Sequence, residues 1–229
     1  MIYHNLFPRL IGEFHYDFRY QFKETFLQNA LKHYDENGRT GEFSGNVDVH
    51  LNPELQDIFT FVGESARTYL SALSLRNELF DLNMVKCWFN AIKEEHIPVH
   101  KHADAHLSFV YYVQVPDNID KPIVFTNERP PNELFFGMFG SVSPNVHQWN
   151  YYNSQTWVAR PIEGQLYIYP SDLLHYTNGD GSGNNDEPIR SVNDLENRRI
   201  SIAGDFILTY KDKAAKSTGI QPISNWKVY

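Results

Sequence analysis

HKHADAHLSFVYYV, residues 100–113, joins a cluster of metal-ligating residue types to an apolar run typical of a buried strand. In its first half, His100, His102, Asp104 and His106 stand at alternate positions. Alternate side chains of an extended segment leave the backbone on the same face. The spacing therefore predicts that one strand end supplies two or more ligands to a divalent metal.

Further strand-like segments surround this stretch along the chain. They are short, rich in β-branched and aromatic residues, and separated by Pro, Gly, Asn and Asp. The predicted strands are 84–89, 107–115, 123–125, 156–159, 165–169 and 200–208. This pattern indicates a β-sandwich or a small barrel.

Two amphipathic helices are predicted before the strands. Apolar residues recur at helical spacing over residues 17–34, and Asn52 followed by Pro53 and Glu54 is a typical helix start for the second helix, which extends to about residue 73. Residues 1–16 are predicted to form an edge strand or an irregular arm. Because the helices precede the strands, the fold class is α+β and mostly β.

We expect one domain over residues 1–229. It comprises helical support at 17–75, a β core at about 84–209 and a C-terminal extension at 210–229.

Composition excludes some classes of function. The formal net charge is −8, from 20 basic and 28 acidic residues without a basic run, so no nucleic-acid footprint is present. The single cysteine, Cys87, lies in an apolar segment and is predicted to be buried. The first residues show no basic region followed by a long apolar run, so we expect no signal peptide or membrane span and a soluble, cytoplasmic protein.

Two later segments complete the predicted site. His175 follows the strand at 165–169 and is the best candidate for a third ligand beside His102 and Asp104. Two imidazoles and one carboxylate on one face of an ion leave the other face open, which suits non-haem Fe(II). Arg199 and Ser201 open the last strand, where a guanidinium and a hydroxyl on one face would grip a carboxylate. The sequence thus describes a site that chelates a metal and holds a diacid.

These segments resemble the 2-oxoglutarate and Fe(II)-dependent oxygenase superfamily, in particular its poorly characterised branch common in phage and marine bacterial genomes. The matching motifs are His100-x-His102 with Leu107-Ser108-x-Val110-Tyr111-Tyr112-Val113, Tyr169-Pro170-Ser171-x-x-x-His175, and Arg199-Ile200-Ser201. The similarity covers about residues 84–209.

The resemblance implies a double-stranded β-helix, a jelly roll of cupin-like architecture. It also implies Fe(II) held by His102, Asp104 and His175, with 2-oxoglutarate and O2 as co-substrates. Arg199 would bind the distal carboxylate of 2-oxoglutarate with help from Ser201, and Tyr111 matches a tyrosine that donates to the same carboxylate in some relatives. The implied reaction is hydroxylation of a C–H bond of an unknown small-molecule or peptide substrate, with release of succinate and CO2.

Several alternatives stay open at this stage. His100 with His102 could supply the first ligand pair instead, because His100, His102 and His106 are at alternate positions and would all point to the same face of an extended segment. A cupin-type isomerase or dioxygenase without 2-oxoglutarate, or a non-catalytic jelly-roll binding module, would share the fold. The long connections 128–154 and 176–197 are predicted to be lids, binding loops or plain insertions. The sequence predicts no oligomeric state.

Overall fold

Nine β-strands form two antiparallel sheets in the described part of the chain. A computed structural model describes residue 2 and residues 8–17, 20–33, 48–93, 96–117, 119, 121–139, 145–178, 189, 191–211 and 219–228. The strands are β1 Gly12–His15, β2 Phe80–Ile92, β3 Ile97–His100, β4 Leu107–Gln114, β5 Ile123–Thr126, β6 Thr156–Ala159, β7 Gln165–Pro170, β8 His175–Thr177 and β9 Arg199–Tyr210.

The two sheets face each other. The larger sheet has the order β1-β7-β4-β9-β2, and the smaller sheet has the order β3-β8-β5-β6. Apolar side chains between them come from β4, β5, β6 and β7 and include Tyr112, Phe125 and Tyr169. The fold is a double-stranded β-helix, as predicted, and its interior lies between the sheets.

Two helices, α1 Tyr20–His33 and α2 Gln56–Ala72, cover the outer face of the larger sheet. Short 3-10 helices lie at Val49–Leu51, Pro53–Leu55, Asn77–Leu79, Val192–Leu195 and Ile223–Asn225. Asn52 accepts a hydrogen bond from the Glu54 backbone N–H at 3.0 Å and so caps the 3-10 helix Pro53–Leu55. The sequence predicted this cap as the start of the second helix, but α2 itself begins one turn later, at Gln56. Neither α1 nor α2 combines the length and the hydrophobicity that crossing a membrane requires, and the described residues contain no other α-helix.

The alternation along β4 separates two cores. Leu107, Phe109, Tyr111 and Val113 pack with the helices, whereas Val110 and Tyr112 pack between the sheets. A strand with both faces covered is apolar throughout, which is why the sequence shows a continuous apolar run here.

The structure differs from the predicted strands mainly in extent. The predicted strand 84–89 runs over Phe80–Ile92, because it pairs with β9 from Phe80 opposite Tyr210 to Ile92 opposite Arg199. Strands β3 and β8 were not predicted, since they have only four and three residues and β3 contains Pro98. They form because they pair with each other, and β8 also pairs with β5.

The N-terminal arm is a short edge strand, one of the two forms that the sequence predicted. Gly12 to His15 of β1 pair with β7 at the border of the larger sheet. The phenol of Tyr69 in α2 donates a hydrogen bond to the Leu10 carbonyl at 2.9 Å. This bond ties the arm to the helical layer.

Candidate functional site

Two histidines meet across a strand pair of the smaller sheet. His100 is the last residue of β3, His175 is the first residue of β8, and the two are directly opposite in the register. Their ring centroids are 4.3 Å apart. The antiparallel pairing therefore holds side chains from distant parts of the sequence together.

A third histidine joins them from the turn after β3. The His102 backbone N–H donates to the Ser171 carbonyl at 2.8 Å, which fastens this turn to the one that precedes β8. The His102 ring lies 5.3 Å from that of His100 and 5.2 Å from that of His175. One ring nitrogen of each histidine lies within 4.8 Å of the others. This cluster is a candidate metal centre.

Hydrogen bonds orient all three imidazoles in the same way. Nδ1 of His100 lies 2.8 Å from the Pro98 carbonyl, and Nδ1 of His175 lies 2.8 Å from the Leu173 carbonyl. Nδ1 of His102 lies 2.6 Å from a carboxylate oxygen of Asp205.

Each acceptor assigns the proton to Nδ1, so that Nε2 keeps its lone pair. Imidazoles that bind metals are commonly oriented in this way by a carbonyl or a carboxylate. Nε2 of His175 accepts only a long hydrogen bond from the Tyr169 hydroxyl at 3.4 Å, which a bound ion would replace, so the three Nε2 atoms fit a metal ion.

Burial keeps two of these imidazoles neutral. It lowers the pKa of His175 to about 4, against a smaller opposing effect of the hydrogen bond to the Leu173 carbonyl. Burial likewise lowers the pKa of His100. A histidine must be neutral to bind a metal, so the site does not need to lose protons from these two residues near neutral pH.

Asp104 lies apart from this cluster. Its side chain is 73% exposed, and both carboxylate oxygens are 3.2 Å from the Lys86 Nζ. The sequence expectation assumed an extended segment, but residues 103 and 104 form a turn after β3. The structure thus brings His100, rather than Asp104, next to His102 and His175, an alternative that the alternating positions had left open.

A cavity of about 370 Å³ begins at the histidines and runs between the sheets. Residues at alternate positions of β9 line it, among them Arg199, Ser201 and Ala203. The Arg199 guanidinium is buried, donates to the Lys121 carbonyl, and lies over the Tyr112 ring at 5.3 Å from its centroid. The buried Ser201 hydroxyl has no hydrogen-bond partner among the described residues. A buried cation and an unsatisfied hydroxyl in one cavity fit a carboxylate ligand.

Tyr111 does not face this cavity. Its side chain packs in the core beneath the helices, and its hydroxyl lies 3.4 Å from the Tyr16 carbonyl. Burial raises the pKa of Tyr111 well above its usual value. The neighbouring Tyr112 lines the cavity instead, because successive side chains of a strand point to opposite faces.

Sequence reasoning missed one residue of this site. Asp205 is fully buried and accepts a hydrogen bond from His102, yet no motif identified it. Burial alone would raise the pKa of its carboxyl, but hydrogen bonds from His102, Ser108 and Lys86 lower the pKa below its usual value. The sequence did contain one indication: Asp205 lies an even number of residues after Arg199 and Ser201, so all three side chains point to the same face of the strand.

The two long connections differ in their relation to the cavity: Tyr176 and Thr177, at the start of the second, lie in β8 and line it, whereas no described residue of the first does. Residues 129–139 and 145–155 carry exposed aromatic side chains, including Phe136 at 93% and Tyr151 at 70% exposure, and none of them lines the cavity. Residues 179–188, at the centre of the second connection, lie outside the described residues. A lid role for either connection stays a prediction.

Comparison with known proteins identifies a related family. Residues 86–186 match a family model described as "Putative 2OG-Fe(II) oxygenase". No curated protein matches the chain in sequence. The match includes the three histidines but ends before Arg199. This match does not test the expectation that the chain belongs to a branch common in phage and marine bacterial genomes, so that expectation stays a prediction.

Solved structures share the fold at low sequence identity. The epimerase SnoN from nogalamycin biosynthesis, described as non-heme and alpha ketoglutarate dependent, aligns over 94% of this chain and 88% of its own, with 13% identity and a TM-score of 0.53. A Pseudomonas putida prolyl-4-hydroxylase aligns over 87% of this chain and 92% of its own, with 11% identity and a TM-score of 0.50.

A Burkholderia pseudomallei oxidoreductase of the 2OG-Fe(II) oxygenase family aligns over 74% of this chain, with 16% identity and a TM-score of 0.42. This chain spans 64% of the length of that protein. At such identities the two structures with the higher TM-scores share the fold with this chain, and nothing more specific follows from them.

Proposed function

We propose that the chain is a 2-oxoglutarate and Fe(II)-dependent oxygenase that uses 2-oxoglutarate and O2 to hydroxylate a C–H bond of a small substrate, a proposal supported by the family model that residues 86–186 match. The observation that carries this proposal is the placement of two features in one cavity. Three imidazoles converge near one end, and Arg199 with Ser201 lines the same cavity.

His100, His102 and His175 are the proposed metal ligands. Their Nδ1 atoms are engaged by protein acceptors, which leaves the three Nε2 atoms for one face of an ion. The usual iron site of this chemistry has two histidines and one carboxylate, so His100 takes the place of the carboxylate. Asp104 is not proposed as a ligand, because its carboxylate is exposed and paired with Lys86.

Arg199 and Ser201 are the proposed binding groups for the distal carboxylate of 2-oxoglutarate. The contact with the Lys121 carbonyl and the stacking on Tyr112 hold the guanidinium in place within the cavity. A planar guanidinium can donate two parallel hydrogen bonds to one carboxylate, and the Ser201 hydroxyl can add a third. This arrangement selects a diacid that reaches from the histidines to Arg199.

The bound iron and 2-oxoglutarate would supply the activation of O2 and the oxidation of the C–H bond, with succinate and CO2 as products. The protein itself binds, orients and shields the reactants. Trp88, Val110 and Tyr169 contribute apolar surface to the cavity.

The size of the cavity limits the substrate. A volume of about 370 Å³ is at the lower end of small-molecule pockets, which span about 300–1,000 Å³. Since the co-substrate takes part of this volume, the remaining room suits a small metabolite or one side chain of a peptide.

The test is an anaerobic titration of the purified protein with Fe(II) and 2-oxoglutarate, followed by exposure to O2. We expect the visible charge-transfer absorption of an iron-bound 2-oxo acid, and then succinate formation that depends on Fe(II). A protein that binds Fe(II) but gives neither the absorption band nor succinate would refute the use of 2-oxoglutarate.

The three-histidine set also supports a second candidate function, a cupin-type dioxygenase that oxidises its substrate without 2-oxoglutarate. In that case Arg199 and Ser201 would bind a carboxylate of the substrate itself. Uptake of O2 with a carboxylate substrate in the absence of 2-oxoglutarate, and no succinate in its presence, would favour this candidate.

A further inference from the structure

Three strands of the larger sheet place Lys86, Asp205 and Ser108 in one row. Asp205 of β9 is opposite Lys86 of β2 on one side and opposite Ser108 of β4 on the other. His102 reaches this row from the turn after β3. A buried carboxylate therefore lies between a cation, a hydroxyl and one of the proposed metal ligands.

The contacts of Asp205 are short and specific. One oxygen, Oδ1, lies 2.6 Å from His102 Nδ1 and 2.6 Å from Ser108 Oγ, while Oδ2 lies 3.1 Å from Lys86 Nζ. The side chain is fully buried, and a buried carboxylate is tolerated only when it is paired and hydrogen-bonded. The two hydrogen bonds to Oδ1 and the ion pair with Lys86 keep the carboxylate charged directly behind the His102 ring.

This charge has a consequence for the proposed metal site. Three neutral imidazoles bring no negative charge to a divalent ion, whereas the usual two-histidine, one-carboxylate set brings one. A carboxylate that accepts the Nδ1 proton of a ligating histidine raises the basicity of that ligand. Asp205 is in this position relative to His102.

We propose that Asp205 is a positioning residue that fixes His102 for metal binding and supplies, through its imidazole, the negative charge that the three-histidine set lacks. Lys86 offsets part of this charge, because its ammonium group contacts both Asp205 and Asp104. The inference rests on the proposed metal site and extends it to two residues outside the ligand set.

The main test compares Asp205→Asn with the wild-type protein in an anaerobic titration with Fe(II) alone. Asparagine keeps the shape and can still accept the His102 proton, but it removes the charge. We expect the metal affinity to fall by about 10- to 100-fold, which is the usual effect of losing such a partner. The Fe(III)/Fe(II) potential of the protein-bound ion should rise, because less negative charge favours Fe(II).

Asp172→Asn is the matched control. Asp172 lies in the turn before His175, it is 65% exposed, and it pairs with Arg9 rather than with a proposed ligand. The same loss of charge at this position is expected to leave metal affinity and potential unchanged.

Lys86→Met separates the proposed role from a purely structural one. Removing the ammonium group leaves the charge of Asp205 more fully on His102, so metal affinity should rise and the potential should fall. A contribution of this row to packing alone predicts weaker metal binding in both variants. If Asp205→Asn does not fold, as judged by circular dichroism, Lys86→Met alone tests the proposal. Metal binding by Lys86→Met that is equal to or weaker than that of the wild-type protein would overturn it.

The possible failures are distinguishable. Absence of Fe(II) binding in the wild-type protein would refute the proposed metal site itself. Normal Fe(II) binding by the wild-type protein, with the same affinity and potential in Asp205→Asn, would overturn only the role of Asp205.

Discussion

His100 and His175 are directly opposite each other in β3 and β8, with ring centroids 4.3 Å apart. This pairing explains why His100 belongs to the candidate metal centre. His102 completes the cluster because its backbone N–H is bound to the Ser171 carbonyl in the turn that leads to His175. The register of the smaller sheet therefore determines which of the alternating residues in the motif converge.

Arg199→Lys is expected to weaken 2-oxoglutarate binding while leaving Fe(II) binding unchanged. Lysine keeps the charge but loses the planar pair of donors. A charge-assisted hydrogen bond contributes about 1.5–3 kcal/mol, which corresponds to about 10- to 150-fold in the dissociation constant. Equilibrium titration of the Fe(II)-loaded protein with 2-oxoglutarate measures the change.

Arg198→Lys provides the control for this measurement. Arg198 is also buried, but it donates to the Asp194 carbonyl and does not line the cavity. We expect 2-oxoglutarate affinity in this variant to equal that of the wild-type protein. An equal loss in both variants would mean that general destabilisation, rather than the guanidinium of Arg199, accounts for the effect.

Tyr111→Phe is expected to leave the affinity for 2-oxoglutarate unchanged. The Tyr111 hydroxyl is in the core beneath the helices, 3.4 Å from the Tyr16 carbonyl, and such a long hydrogen bond contributes at most about 1 kcal/mol to stability. Urea unfolding and a 2-oxoglutarate titration measure the two effects. A tenfold weaker affinity would instead support the role that the family resemblance implies for Tyr111.

The sequence predicted most of the fold because long apolar runs and helical spacing dominate it. The strand over Thr156–Ala159 was predicted at its observed bounds, and the helix at Gln56–Ala72 was predicted from the Asn52 cap and its apolar stripe. Strands β3 and β8 escaped prediction, since segments of three or four residues become strands only through pairing partners that a sequence does not reveal.

The candidate site was predicted in part for a similar reason. The alternating positions alone could not show whether His100 or Asp104 is the ligand beside His102. The prediction assumed an extended segment, but a turn at residues 103–104 ends the alternation. Tyr111 faces the helices that cover the larger sheet, and Tyr112 faces the cavity. Because β4 is apolar on both faces, its sequence does not show which of the two tyrosines faces the cavity. Asp205 stayed unnoticed because it meets His102 only after β9 pairs with β2 and β4.

Gly204→Ala is expected to destabilise the larger sheet. A Cβ at this position would lie 2.6 Å from Phe109 Cε1 and 2.8 Å from the Lys86 carbonyl oxygen, and that backbone oxygen cannot move without disturbing β2. Overpacking of this kind costs about 1–3 kcal/mol. Chemical denaturation measures the loss, and a stability equal to that of the wild-type protein would contradict the tight contact between β9 and its neighbours.

The stability of the protein is expected to fall as the pH rises from about 10 to 12, in part because of Tyr69. Burial raises the pKa of Tyr69 to about 12, above the usual value of 10.0. Between these values the folded state keeps a proton that the unfolded state loses, so the stabilising contribution is complete below pH 10 and is lost through pH 12. Urea unfolding at several pH values measures this loss, and Tyr69→Phe should show a shallower decline; an equal slope in both proteins would contradict it.

The central claim is that His100, rather than Asp104, completes the metal centre with His102 and His175. Anaerobic Fe(II) titrations of His100→Ala and Asp104→Ala test it directly, with circular dichroism to verify that both variants fold. We expect Asp104→Ala to bind one Fe(II) per chain about as tightly as the wild-type protein, and His100→Ala to lose at least about tenfold in affinity. Loss of Fe(II) binding in Asp104→Ala with wild-type binding in His100→Ala would contradict this account.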